Sequence, residues 1–339
     1  MKIAIIADPF IPIPPQNYGG IERIIDFLSH GLTAKGHDVL LVANKDSSTS
    51  IELLKFPAQS GSLISHLENV KVISKLYRFK PDIIHSFGRL AYLLPFFNSK
   101  IPKLMSYQRE PTIKQIVNAK KIFKKNTLSF TGCSSYISNQ ISPYAPSYPI
   151  FNGVDLGIYH FNAIVSDHAP LVFLGRIEPI KGTHIAIEVA QRTGKKLVIA
   201  GNIPSVYQDY FHQDIKPHLN EQISYIGPVD DVQKNILLRN ASGFLMPIEW
   251  NEPFGIVMAE AMACGTPIIG FNRGSVSEVI INGLNGYSCN TIDEMVDLID
   301  KIPQLDRKKV RQDCEKRFSS IVIIDQYLDL YQKMINSHK

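Results

Sequence analysis

Short apolar runs, each ending in a turn and followed by a segment of helical period, recur along the 339-residue chain. Lys2 to Ala7 is the first, bounded by Asp8-Pro9, and reads as a parallel strand buried on both faces. A loop rich in Pro and Gly follows. Apolar residues at 21, 24, 25, 28 and 32 then keep the period of a helix, which Gly36 ends ahead of a second strand, Val39 to Ala43. Ile83-Ile84-His85, Lys103-Leu104-Met105 and Phe130 to Cys133 supply further strands, with helical segments between them. This alternation predicts a doubly wound α/β domain over the first half.

Prolines crowd the segment Ser142 to Pro149 and break the pattern, and Asp167 to Pro170 closes the interval, so the inter-domain connection is expected between them. The alternation restarts with a strand at Leu171 to Leu174, a loop from Gly175 to Gly182 and a helix from about Thr183. Leu197 to Ala200, Ile223 to Ile226, Gly243 to Met246 and Pro267 to Gly270 supply the remaining strands. Two similar α/β domains are expected, over 1–155 and 165–320. The amphipathic segment from Ile321 to Ile335, cut off by a charged stretch, is expected to pack away from the second domain.

Composition narrows this picture. With 45% hydrophobic residues the chain can bury two ordinary cores. No stretch approaches the roughly 20 apolar residues of a membrane span. The N-terminal apolar run is too short for a signal peptide, and the four cysteines (133, 264, 289, 314) have no pairing spacing, so a soluble, cytoplasmic protein with reduced thiols is expected. The net charge of +5 conceals an asymmetry: residues 1–150 hold 18 Lys/Arg against 9 Asp/Glu, and residues 151–339 hold 18 against 22. Much of the excess lies in Lys71, Lys75, Arg78 and Lys80 and in the run Ala119 to Lys125, where basic and apolar residues interleave. Such a run is either a solvated helix face or a patch that meets an anionic surface, a membrane leaflet or an acidic acceptor.

Three strand-to-helix loops carry candidate chemistry, because ligands of open α/β sheets bind beyond the carboxyl ends of the strands, where helix N-termini present free N–H groups to anions. Tyr18-Gly19-Gly20 precedes the first helix, and its two glycines allow close backbone approach. Arg176 and Lys181 lie five positions apart on one loop, where they can clamp a diphosphate. In Asn251 to Glu260, Pro253 and Gly255 shape a turn into a helix starting near Ile256, with Glu252 at its mouth and Glu260 inside its apolar surroundings. A lone buried carboxylate is costly, so Glu260 needs either a partner such as Arg273 or hydroxyl donors on a ligand. Hydroxyls, two phosphates and more hydroxyls describe a nucleotide sugar.

With Glu252 and Glu260 forming an E-x7-E motif, the chain resembles the retaining glycosyltransferases of the GT-B fold, family 4 in particular. The likeness runs through Tyr18 to Arg23, Pro81 to His85, Asn152 to Asp155, Gly175-Arg176, Lys181-Gly182, Glu252 to Gly255, Glu260 to Pro267 and Glu278 to Gly286. It implies two Rossmann-like domains facing across a cleft, acceptor-binding first and nucleotide-sugar-binding second, with the C-terminal helix (about 321–339) crossing back to the first. It further implies that Arg176 and Lys181 hold the donor diphosphate, Glu260 the ribose hydroxyls and Glu252 the transferred sugar. The amides of Phe254, Gly255, Ile256 and Val257 would line sugar and phosphate, Gly201 and Asn202 the base pocket, and Gly19 and Gly20 the diphosphate on closure. His85 matches a family histidine, yet as a residue it reads equally well as a strand-end cap. Two other frequent histidines are replaced by Phe87 and Gln108, with Arg89, Arg109 and Glu110 nearby as substitutes.

The expectation is therefore a metal-independent, retaining hexosyltransferase. It would use a nucleotide sugar, UDP-linked by default, as co-substrate, with no cofactor, no nucleic acid partner and a glycan, lipid-linked or small-molecule acceptor. A basic N-terminal half leaves peripheral contact with an anionic membrane open. No D-x-D metal motif occurs, nor do G-x-G-x-x-G after the first strand, a P-loop, H-E-x-x-H or G-x-S-x-G. An epimerase, a phosphorylase or a catalytically silent sugar-nucleotide-binding subunit on the same scaffold is the alternative.

Overall fold

The computed structural model describes residues 1–15, 19–57 and 62–337. By contact the chain divides into two compact units, Met1–Asn152 with Ser320–Lys339, and Gly153–Ser319. The change of unit falls at Asn152–Gly153, within the interval between Ser142 and Pro170.

In the first unit, strands β1 (Lys2–Ile6), β2 (Asp38–Ala43), β3 (Glu52–Lys55), β4 (Ile83–Ser86), β5 (Lys103–Tyr107), β6 (Leu128–Gly132) and β7 (Ser147–Pro149) form a parallel sheet in the order β3-β2-β1-β4-β5-β6-β7. Residues 3–6 of β1, and all of β4, β5 and β6, are buried, as strands covered on both faces must be. Helix α1 (Gly20–Ala34) buries Ile24, Ile25, Leu28 and Leu32, the positions its period assigns to the core. Helices α2 (Leu63–Ile73) and α3 (Ile113–Ile122) belong to the same unit. Strand β7 lies in the proline-rich stretch Ser142 to Pro149: it pairs with β6 at the sheet edge, where a proline lacking an N–H is tolerated.

The second unit carries β8 (Leu171–Leu174), β9 (Leu197–Ala200), β10 (Ile223–Tyr225), β11 (Gly243–Met246), β12 (Ile268–Phe271) and β13 (Gly286–Cys289), again parallel, in the order β10-β9-β8-β11-β12-β13. Leu171, Phe173, Ile199, Leu245 and Ile269 from the sheet pack with Ile185 and Val189 of α4 (Thr183–Thr193). Helices α5 (Asp231–Arg239) and α6 (Ile256–Ala263) complete the part that matters for the site. The strand order reverses direction between β8 and β11, the place where ligands of open α/β sheets bind.

Helix α7 (Ser320–Asn336) returns to the first unit. It seats Ile324 against Gly31 of α1 so closely that a Cβ at Gly31 would lie 2.2 Å from Ile324 Cδ1, and Lys35 pairs with Asp325 at 2.8 Å. Its inner face carries Tyr327 and Tyr331 into the sheet, beneath β4 and β5. The fold is α/β with two Rossmann-like halves.

Candidate functional site

The loops leaving β8 and β11 are held together at the reversal point. Gly182 has φ +73°, and a Cβ there would lie 1.9 Å from the Pro247 carbonyl oxygen, so only glycine lets the β8–α4 loop close onto the β11–α6 loop. Across this contact Lys181 Nζ donates to Glu252 Oε2 at 2.8 Å, and Trp250 Nε1 donates to the same oxygen at 3.0 Å. The ammonium also lies 4.7 Å from the centroid of the Trp250 ring, within cation–π range. Glu252 is buried, and its main chain is anchored by Ser275 N–H donating to its carbonyl at 2.9 Å. Beside it Gly274, at φ +61°, leaves no room for a side chain, since a Cβ would come within 2.4 Å of that same carbonyl.

Immediately after Glu252, α6 starts from Gly255 with no side-chain cap, so its first-turn amides and dipole face the same region as Lys181 and Glu252. Phe254 turns its ring into the core against Phe318 (5.5 Å between centroids), which leaves its backbone as the part able to meet a ligand. On the other side of β8, Gly175 N donates to Ala200 O and Ile177 N to Asn202 O, both at 3.0 Å, so Gly201 and Asn202 lie beside the Arg176 loop. Arg176 does not turn to Lys181; its guanidinium pairs at 2.8 Å with buried Glu178 of its own loop, and its outer face stays open. The structure thus gathers Arg176, Lys181, Gly201, Asn202, Glu252 and the residues 254–257 on the carboxyl edge of three adjacent strands.

Glu260 is compensated from within the protein. Its Oε1 accepts from Tyr159 OH and from Lys234 Nζ, each at 2.6 Å, and Lys234 lies also 3.3 Å from Asp231. This corrects the expected partner: Arg273 is exposed, while Lys234, reaching over from α5, supplies the cation. Oε2 makes no hydrogen bond among the described residues, so the second oxygen is the one a ligand hydroxyl can use.

The remaining sequence candidates lie in the first unit. Gly19 and Gly20 open α1 beside Pro15 and Glu22, and Tyr18 lies outside the described residues. His85 is fully buried in β4, with Nδ1 2.6 Å from Tyr331 OH and Nε2 2.6 Å from Ser106 Oγ. Phe87 packs on its ring at 4.1 Å, and burial pushes its pKa down to about 3. A neutral ring with both nitrogens engaged offers no face to a ligand, so the catalytic assignment of His85 is corrected to an anchor for α7. Gln108 accepts from Asn152 Nδ2 at 2.8 Å.

Trp250, Tyr159 and Lys234 escaped the sequence reading. Trp250 is the single tryptophan and stands two residues from Glu252, a signal that was available. Lys234 looks like any helix-surface lysine, and only the packing of α5 on α6 brings it to Glu260. Among the described residues no group of three or more His, Cys, Asp or Glu is placed to hold a metal ion, and no helix is long and apolar enough to cross a membrane.

Residues 160–318 match the family model described as glycosyl transferases group 1. The chain is 25% identical to a glycogen synthase of Mycobacterium tuberculosis, over 81% of this chain and 80% of that one. Among solved structures, the sucrose-phosphate synthase of Thermosynechococcus elongatus superposes with a TM-score of 0.80 at 18% identity, covering 99% of this chain and 100% of that one. Anabaena HepE, solved in complex with UDP-glucose, superposes with a TM-score of 0.75 at 16% identity, covering 98% and 100%. The family model and the curated relative support glycosyl transfer in general, and the solved structures show the fold.

Proposed function

We propose that the second unit binds a nucleotide-diphosphate sugar, UDP-linked by default, and that the chain transfers its hexose, with retention of anomeric configuration, to an acceptor held by the first unit. The observation that carries this reading is the meeting of Lys181, Glu252 and the uncapped start of α6 at the strand-order reversal. The structure of HepE with UDP-glucose supports the donor class.

As the bond from the anomeric carbon to the phosphate oxygen breaks, the leaving diphosphate takes the electron pair. Lys181, the open face of Arg176 and the first amides of α6 are the groups that stabilise this charge, and fixed donors of this kind act without reorganisation. Glu252, pinned by Lys181 and Trp250, keeps Oε1 for hydroxyls of the transferred sugar. Glu260 keeps Oε2 for the ribose. The acceptor hydroxyl bonds to the anomeric carbon and gives its proton to the departing phosphate oxygen, so no protein nucleophile takes part; the proposed reaction is metal-independent.

Incubation with UDP-glucose and UDP-galactose, with UDP release followed and the product anomer read by NMR, tests the reading. An α-linked product formed at the same rate in EDTA is expected. UDP-sugar binding without turnover across an acceptor panel would favour a silent binding subunit, and an inverted anomer would remove the retaining mechanism.

We further propose that the basic segment at the end of α3 meets anionic lipid. Ile122 and Phe97 are about half exposed, and Lys124 N–H donates to Phe97 O at 2.7 Å, which sets these apolar side chains beside Lys120, Lys121, Lys124 and Lys125. Interleaved lysines and exposed apolar groups suit a headgroup interface.

A further inference from the structure

A second polar constellation stands in the first unit, at the carboxyl ends of β1, β4 and β5. These strands are neighbours in the sheet, so Asp8, Arg89 and the pair Gln108-Arg109, each one to three residues past its strand, emerge side by side. The β1–β4 register continues into the loops: Phe87 N donates to Ile6 O at 2.8 Å, and a Cβ on Gly88 would lie 2.8 Å from Ala7 O. Arg89 Nε then lies 3.7 Å from Asp8 Oδ1, near enough for ion pairing but too far for a hydrogen bond, and its guanidinium carbon lies 5.7 Å from the Phe10 ring centroid.

Polar atoms in this place lack partners to an unusual degree. Asp8 Oδ1, Arg89 Nε and Gln108 Nε2 are all buried without a hydrogen bond among the described residues. Buried polar atoms are nearly always bonded, so three orphans on three adjacent loops mark a place built to receive a polar ligand. Arg109 is exposed and makes no hydrogen bond or ion pair among the described residues. Glu110, the next residue, accepts from Tyr136 OH at 2.5 Å. Both guanidiniums, Arg89 and Arg109, act on Asp8. Glu22 is buried nearby, and burial, with Asp8 close by, raises its pKa. Burial likewise raises that of Asp8, against the pull of Arg89, Arg109 and His66. The background field has the same sign, since residues 1–150 carry 18 Lys/Arg against 9 Asp/Glu.

We infer that Asp8, Arg89 and Arg109 select an acceptor that carries an anionic group, phosphate or carboxylate, close to the hydroxyl that is glycosylated. The two guanidiniums hold the anion, since their planar forks match its oxygens, and Asp8 accepts the hydrogen bond of the hydroxyl. This assignment rests on the glycosyl-transfer reading above and adds the chemical class of the acceptor to it.

Binding to the full chain can be measured by calorimetry for two matched pairs, glucose 6-phosphate against glucose and glycerate against glycerol. The anionic member of at least one pair should bind about tenfold or more tighter than its neutral counterpart, the scale of one charge-assisted hydrogen bond. Which pair discriminates separates phosphate from carboxylate. Arg109→Gln should reduce that preference about tenfold, and Arg109→Lys should restore part of it. Asp8→Asn should weaken glucose 6-phosphate while sparing inorganic phosphate. Equal binding of neutral and anionic members, no binding by either anionic probe, or an unchanged preference in Arg109→Gln would overturn the inference. UDP titrated into the same samples reads the donor reading separately: failure of UDP to bind counts against the nucleotide site and leaves the anion result standing.

Discussion

Lys181 Nζ and Glu252 Oε2 lie 2.8 Å apart and join loops that leave neighbouring strands on either side of the strand-order reversal. In the proposed reading, the cation that meets the leaving diphosphate is thereby fixed by the carboxylate that meets the sugar. Lys181→Ala should lower turnover of a UDP-sugar by about 10²–10³-fold, the usual cost of one charge-stabilising donor. It should also destabilise the fold, because Glu252 is left buried with Trp250 as its one side-chain donor among the described residues. The double variant Lys181→Met/Glu252→Leu separates the two effects: urea unfolding should show much of the lost stability regained, while turnover stays lost. Recovery of both would reduce the pair to a structural one.

Glu260→Ala tests the deeper carboxylate. UDP affinity, read by calorimetry, should fall about tenfold or more if Oε2 meets the ribose, the scale of a hydrogen bond to a charged group. Lys234 would lose Glu260 but keep Asp231 at 3.3 Å, so the stability cost should be modest, roughly 1–2 kcal/mol. An unchanged UDP affinity would confine Glu260 to holding α5 on α6.

His85 should make stability depend on pH in a defined direction. In the folded chain it stays neutral down to about pH 3 because it is buried, whereas unfolded it takes a proton near 6.5. Between these values the unfolded state binds more protons, so unfolding free energy rises with pH and falls on acidification. From pH 7.5 to pH 5 this one ring removes roughly 2 kcal/mol. The urea-derived stability of His85→Gln should fall less over the same interval, by that amount. Parallel curves for the two proteins would mean that the ring titrates normally when folded.

The lysines beside Ile122 and Phe97 give a membrane test. Replacing Lys120, Lys121, Lys124 and Lys125 by Gln should abolish co-sedimentation with vesicles rich in phosphatidylglycerol, and leave UDP binding untouched. Equal sedimentation of both forms would leave this surface as an ordinary solvated face.

Much of the architecture was legible because the buried strands are short and apolar on both faces. The central strands β1, β4, β5, β8, β9 and β11 were found in this way, and the period of α1 named its buried residues. Of the edge strands only β10 was found, from the apolar run at Ile223. Glu52–Lys55 and Gly286–Cys289 are partly exposed and carry polar residues, and Ser147–Pro149 sits in a proline-rich stretch, so none has the continuous apolar run that signals a covered strand. The spacing of Glu252 and Glu260 was visible, but what each carboxylate touches was not.

By itself the sequence determined two α/β halves, the loops that leave their strands and the residue types those loops carry, since local period and turn chemistry are written in consecutive positions. Tertiary structure alone decided the partners. It brought Lys234 to Glu260 in place of Arg273, sent Arg176 to Glu178, drew His85 into the core under Tyr331, and set Asp8, Arg89 and Arg109 together. These pairings join residues far apart along the chain, or choose between neighbours, and depend on how strands order and helices pack; no local pattern encodes them.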